Sequence, residues 1–153
     1  MFRGYPSEKE DYKELMAAQL AAVGFSTKLV PASPAQRANA GSQGLHHVIN
    51  RQFEASDPHF FVDRFHPKGI GTYAWSMVSD PKLDKLLDEQ AMTTDPEKRK
   101  VILSDIAREI MDKAYVVPIY ETIFVWAARP DVQDVDLDAR VWYPYFQDVW
   151  FKK

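Results

Sequence analysis

Along this chain, apolar side chains recur at helical spacing in some stretches and alternate with polar ones in others. Ser7 followed three residues later by Glu10 forms a capping box, and Tyr12, Leu15, Met16, Leu20 and Val23 then fall at helical spacing. Gly24 ends that helix. Residues 25–30 alternate, with Phe25, Thr27 and Leu29 on one face and Ser26, Lys28 and Val30 on the other, which predicts a strand closed by Pro31. A short polar helix or loop through Gln36 and Arg37 is expected next. The run Gly41-Ser42-Gln43-Gly44 reads as a turn leading into a second strand over residues 46–53. Asp57-Pro58 opens an aromatic helical turn containing Phe60, Phe61 and Phe65, followed by an irregular stretch with Pro67, Gly69 and Gly71.

Regular patterning resumes at Asp80, an N-cap with Pro81 in the first helical position, and Leu83, Leu86, Leu87 and Ala91 line one face behind it. Thr94 and Glu97 suggest another capping box around Pro96. Ile102, Leu103, Ile106, Ile110 and Ala114 supply the stripe of a long helix. Residues 115–120 and 122–127 are rich in β-branched and aromatic side chains and predict two strands, with Pro118 placing the first near an edge or a bulge. The acidic run 131–138 reads as a loop. Residues 141–151 carry Trp142, Tyr143, Tyr145, Phe146, Val149, Trp150 and Phe151, more aromatic surface than water favours, so this tail is expected to find cover or to self-associate. Helices interspersed with strands point to an α/β fold.

A chain of 153 residues with 46% hydrophobic content can bury one compact core. Its formal charge of -3, with no basic stripe, argues against a nucleic-acid partner. Cysteine is absent, which removes disulfides, thiolate catalysis and cysteine-bound metals. No apolar run is long enough to cross a bilayer as a helix. The opening Met1-Phe2-Arg3-Gly4-Tyr5-Pro6 lacks an apolar h-region, so the sequence as written does not read as a secretory precursor.

Several segments stand in an order that resembles the family 5 extracellular solute-binding proteins, the oligopeptide and dipeptide type of ABC importer. They are Leu20-Ala21-Ala22-Val23-Gly24-Phe25, Asp57-Pro58, the stretch from Ser79-Asp80-Pro81 through Leu86-Leu87, Asp95-Pro96-Glu97-Lys98-Arg99, and Val117-Pro118-Ile119-Tyr120. The likeness runs over residues 12–128 but corresponds to only the last third of a typical member. It implies a periplasmic-binding-protein-like lobe, a mixed sheet flanked by helices, incomplete relative to the two-lobed family fold. Residues 1–137 would form the C-terminal, second lobe, and residues 138–153 an aromatic tail that in the family returns toward the first. The implied role is capture of a small solute (peptide, opine or sugar) between two lobes without chemical conversion and without a cofactor, for delivery to ABC permease subunits. The implied location is periplasmic, or extracellular and lipid-anchored.

The same resemblance sets Glu54 at the position from which a carboxylate pairs with a ligand's amino terminus, although a solvated loop residue fits equally. Where many relatives carry Gly-Trp, this chain has Asn50-Arg51, followed by Gln52. Arg51 can clamp a carboxylate or phosphate, stack on a sugar or aromatic group, or lie on the surface at a strand end. Trp75 can stack on a ligand or anchor the core. Asp57 reads as a helix cap. His46 and His47 are adjacent on the expected strand and point to opposite faces, and His59 and His66 are too far apart to pair on a metal. No nucleotide loop, nucleophile elbow or zinc-protease motif is present. A stand-alone interaction module and a small cytosolic enzyme remain as alternatives to solute capture.

Overall fold

The computed structural model describes residues 2–5, 12–51, 57–120, 127–135 and 146–152. Contacts divide the chain into two compact units, one of residues 1–53 and 57–116, the other of residues 54–56 and 117–153.

The first unit begins with β1 (Phe2–Tyr5), then α1 (Tyr12–Ala22) and β2 (Thr27–Leu29). β1 and β2 pair in parallel, Phe2 with Thr27 and Gly4 with Leu29, so α1 is the crossover that a parallel pair requires. The helix stops where expected, with Gly24 at a φ of 92°, a conformation open to glycine at no steric cost. Its apolar stripe is only partly used. Met16 and Leu20 are half-buried, whereas Leu15 and Val23 face solvent. The strand over residues 25–30 forms in its central residues, with Thr27 and Leu29 half-buried and Lys28 exposed.

Next come α2 (Pro34–Ser42) and β3 (Val48–Ile49). The short polar segment is a helix because Ser33 and Gln36 close a capping box: Ser33 Oγ accepts from the Gln36 N–H, and Gln36 Oε1 accepts from the Ser33 N–H. Gly41 and Ser42 therefore belong to this helix and not to a turn, and the turn begins at Gln43. The strand expected over residues 46–53 is shorter, and 52–53 lie outside the described residues. His46 and His47 are not in it. β3 adds to the other side of β1, giving a parallel sheet in the order β2-β1-β3. The central strand, β1, leaves no mark in the pattern, since four residues including Arg3 and Gly4 are too few and too mixed to alternate. Bonding to a neighbour on each side makes it a strand.

After the aromatic turn α3 (Phe60–Phe65) and a 3-10 turn (Pro67–Gly69), the helical hairpin α4 (Pro81–Met92) and α5 (Pro96–Asp112) carries the core. Phe65, Val78, Leu83, Leu87, Ile106 and Ile110 form one buried cluster, with Phe61, Leu86, Ile102 and Leu103 packed against it. At the head of α4, Asp80 Oδ1 accepts from the Lys82 and Leu83 N–H groups and Oδ2 from the Tyr115 hydroxyl at 2.8 Å. The cap of α5 is Asp95, which accepts from the Glu97 and Lys98 N–H groups, and not Thr94. Glu109, buried beside the core, is paired with Lys82.

In the second unit, β4 (Val132–Gln133) and β5 (Trp150–Phe151) pair antiparallel, so the acidic run 131–138 holds a short strand where a loop was expected. Residues 116–120 carry no regular structure, so the strand expected over 115–120 is not formed: Pro118 removes a donor, and no strand among the described residues pairs with it. The strand expected over 122–127 lies outside the described residues apart from Ala127.

Candidate functional site

The carboxyl end of β3 is where the chain gathers its unusual polar side chains. Asn50, the next residue, donates from Nδ2 to the Tyr12 hydroxyl at the start of α1. Arg37 Nη1 on α2 donates to the Asn50 backbone oxygen and to its Oδ1, each at 3.4 Å. Arg51 then projects onto Trp75, its guanidinium carbon 4.0 Å from the ring centre, and its Nη1 donates to the Tyr73 carbonyl at 2.7 Å. Two of the residues singled out in the sequence, twenty-four positions apart, are thus in contact.

Local chemistry explains why Trp75 sits there. The Gly69 carbonyl accepts from the N–H groups of Thr72, Tyr73 and Ala74 and from the Thr72 hydroxyl, winding residues 69–74 into a tight knot. Trp75 Nε1 donates to the Thr72 carbonyl at 3.1 Å. The indole rests directly on Gly41, where a Cβ would come within 2.3 Å of Trp75 Cδ2. Glycine in α2 is therefore a seat for the ring, and the indole in turn is a platform for Arg51.

Gln52 and Glu54 lie outside the described residues. The described residues on either side of that segment are both held, Arg51 as above and Asp57 by Arg99. Asp57 receives Arg99 Nη1 on Oδ2 at 2.9 Å and Nη2 on Oδ1 at 2.7 Å, and Oδ1 also accepts from the His59 N–H at 2.7 Å. Asp57 is thus a turn-closing residue ahead of α3, whose N-cap is His59 and not the Asp57 expected, with an ion pair added. The Arg99 hydrogen bonds, helped by the His59 amide, lower its carboxyl to a pKa of about 2. Arg99 also donates to Oε1 of Gln90, a fully buried side chain on α4. Sequence reasoning missed this network. Beyond Asp57 itself, its trace was a polar Gln90 on the apolar face that α4 turns to α5.

The four histidines show no convergence on a metal. His46 Nδ1 lies 3.2 Å from the Ala40 carbonyl, and His59 Nδ1 lies 3.5 Å from Gln90 Nε2. His66, buried, accepts the Lys68 N–H on Nδ1 and sets Nε2 3.3 Å from an Asp88 oxygen. Among the described residues, no group of three or more histidine or acidic side chains could hold a metal ion. A shallow hollow of about 390 Å³ lies along α5, lined by Pro96, Arg99, Lys100, Leu103, Ser104 and Ala107. One helix makes all its walls, so no groups converge there from different elements.

No family model matches the sequence, and no curated protein matches it. Solved structures do. The clavulanic acid biosynthesis oligopeptide binding protein 2 is 19% identical and superposes with a TM-score of 0.82 over 99% of this chain, which spans 31% of that protein. The ABC transporter-associated periplasmic binding protein DppA from Helicobacter pylori, in complex with the peptide STSA, is 16% identical with a TM-score of 0.64, covering 74% of this chain and 24% of its own. NikZ from Campylobacter jejuni, in complex with Ni(L-His), is 17% identical with a TM-score of 0.59 over 74% of this chain and 24% of its own. These neighbours are binding proteins, and the chain spans 24% to 31% of their length. At such identities the likeness speaks for the fold alone, and this chain folds as a part of these binding proteins does.

Proposed function

We propose that this chain is one part of the solute-capturing component of an ABC importer, binding a small solute such as a peptide without converting it. The observation that carries this reading is the superposition over 99% of the chain on an oligopeptide binding protein. In this reading residues 1–137 form the second lobe, residues 138–153 return toward the first, and the solute sits between the lobes as in a hinged clamp. Arg51 and Trp75 contact it from the carboxyl edge of the sheet, and Gln52, next in sequence to Arg51, is a further contact in this reading. Glu54 meets a ligand's ammonium group, a charge-assisted bond that gains strength when the cleft excludes water. Delivery to permease subunits, and a periplasmic or extracellular location, follow from the same reading.

The described residues hold the means for recognition by shape and charge. The test is a thermal-shift screen of the complete two-lobed protein that this reading implies, against peptides, opines, sugars and metal chelates. A true solute raises the melting temperature by mass action, in proportion to the logarithm of its concentration. Turnover of any of these solutes, or no shift with all classes at millimolar concentration, would overturn the reading.

A further inference from the structure

The proposed capture role leaves open which group of the solute this part of the molecule holds, and Arg51 answers that within the same reading. The sheet order β2-β1-β3 means that the chain leaves β1 toward one side and, after β2, returns to the other side of β1. Where strand order reverses in this way, an open α/β sheet has a crevice outside the carboxyl ends of its strands, and ligands bind there. Arg51 lies two positions beyond Ile49, the last residue of β3, at that edge. Arg37 is held against Asn50, the residue before Arg51 in sequence.

How Arg51 is held matters more than where. The Trp75 face and the Tyr73 carbonyl fix the plane and the rotation of the guanidinium. Trp75 is itself fixed, by Gly41 beneath it and by the Thr72 carbonyl. Elsewhere in the chain, Arg99, Arg108 and Arg129 each hold a carboxylate of the protein. Among the described residues Arg51 holds none. One of its faces is occupied by the indole and its Nη1 by a carbonyl, which leaves the parallel Nε–H and Nη2–H pair along one edge. That same edge takes a carboxylate at Arg129, whose Nε and Nη2 donate to the two oxygens of Asp131. A planar fork stacked on a fixed ring loses little freedom when it binds, and a planar carboxylate matches it in two hydrogen bonds.

We propose that the Arg51–Trp75 pair is the docking point for a carboxylate of the captured solute, so that this chain selects acids over their amides.

The experiment uses the complete two-lobed protein that the capture reading implies, labelled with ¹⁵N, with the Arg51 Nε–H resonance assigned by its disappearance in Arg51→Gln. The probes are Ala-Ala, its C-terminal amide, glutarate and inorganic phosphate. The expected result is that Ala-Ala and glutarate move the Arg51 resonance while the amide does not, and that Arg51→Gln weakens the acids roughly tenfold or more. Arg51→Lys keeps the charge without the fork and recovers only part of that loss. Gly41→Ala, which pushes the indole from its seat, weakens the acids in a chain whose Arg51 is intact. Equal binding of Ala-Ala and its amide overturns the proposal, as does acid binding that survives Arg51→Gln, or a response to phosphate alone. An Arg51 that merely ties β3 to residues 73–75 would move stability in these variants but not the discrimination between acid and amide. Binding of neutral solutes only would sink the carboxylate assignment and leave solute capture standing. Failure of every solute, here and in the thermal screen, would sink both.

Discussion

The described residues of 57–116 and those of 117–152 treat their apolar side chains in opposite ways. In the first, Leu83, Leu87 and Ile106 are completely buried, and each helix that buries them is capped by an aspartate. In the second, Val117, Tyr120, Phe146 and Phe151 each keep more than 60% of their surface exposed, and the described strands are two residues long. A helix satisfies its own backbone and needs only one face covered, so a pair of helices with α3 beside them closes a core. A two-stranded ribbon gains little by itself, and its stability depends on what packs on it. The comparison teaches that, among the described residues, the buried core lies in the helical region.

The strongest way to break the comparison is to truncate one side chain from each region. Leu83→Ala should cost about 2 to 5 kcal/mol, because it removes a fully buried side chain from the α4–α5 contact. Phe151→Ser should leave the helical transition within about 0.5 kcal/mol while reducing the self-association we expect of the apolar tail. Urea denaturation followed by far-UV circular dichroism reads the first effect, and sedimentation velocity the second. Equal destabilisation by the two substitutions would dissolve the distinction. So would a wild-type chain that sediments as a monomer at all concentrations.

A finer test lies at the head of α5. Asp95 carries the cap, so Asp95→Ala should cost about 1 kcal/mol, and Thr94→Ala close to nothing. The sequence pattern of Thr94, Pro96 and Glu97 suggests the opposite, which makes the pair of variants, compared by denaturation midpoint, a direct check on how the helical region is tied off.

That error marks what the sequence could and could not tell. Helices α4 and α5 were visible because their stripes, capping residues and prolines agree, and Leu83, Leu87, Ile106 and Ile110 could be named as core from spacing alone. Which of two adjacent cap formers engages depends on backbone angles that spacing does not encode. β1 was invisible because its strand character comes from β2 and β3, partners far along the chain. At the site, Arg51 and Trp75 could each be singled out, one for departing from its relatives and the other for lying in an irregular loop. Their contact could not, since it depends on Gly41, read at first as part of a turn. The Asp57–Arg99 pair was half visible: Asp57 stood out as a cap, and its partner forty-two residues away had no signal.

The smallest effect, and the last, concerns acid. Asp57 has its pKa lowered to about 2 chiefly by hydrogen bonds from Arg99, and Asp80 is lowered chiefly by the Tyr115 hydroxyl, with the Leu83 amide next. Both belong to the helical region. A carboxyl whose folded pKa lies below its unfolded value of about 3.8 lends stability that is complete above that value and disappears as pH falls through the folded one. For Asp57 the window therefore runs from about pH 4 down to about pH 2. The helical signal should lose stability across it, because the unfolded chain takes up a proton that Asp57 in the folded chain still refuses. Asp57→Asn removes the titrating group and should flatten that part of the curve while slightly lowering stability at neutral pH, where the bond with Arg99 is weakened. Both partners of the pair reach solvent, so added salt should shrink the wild-type slope as well. Denaturation midpoints of the two proteins between pH 5 and pH 2, at low and high salt, measure this. Parallel curves would mean that the pair has no part in the acid response and that the helical region owes its acid sensitivity to other carboxylates.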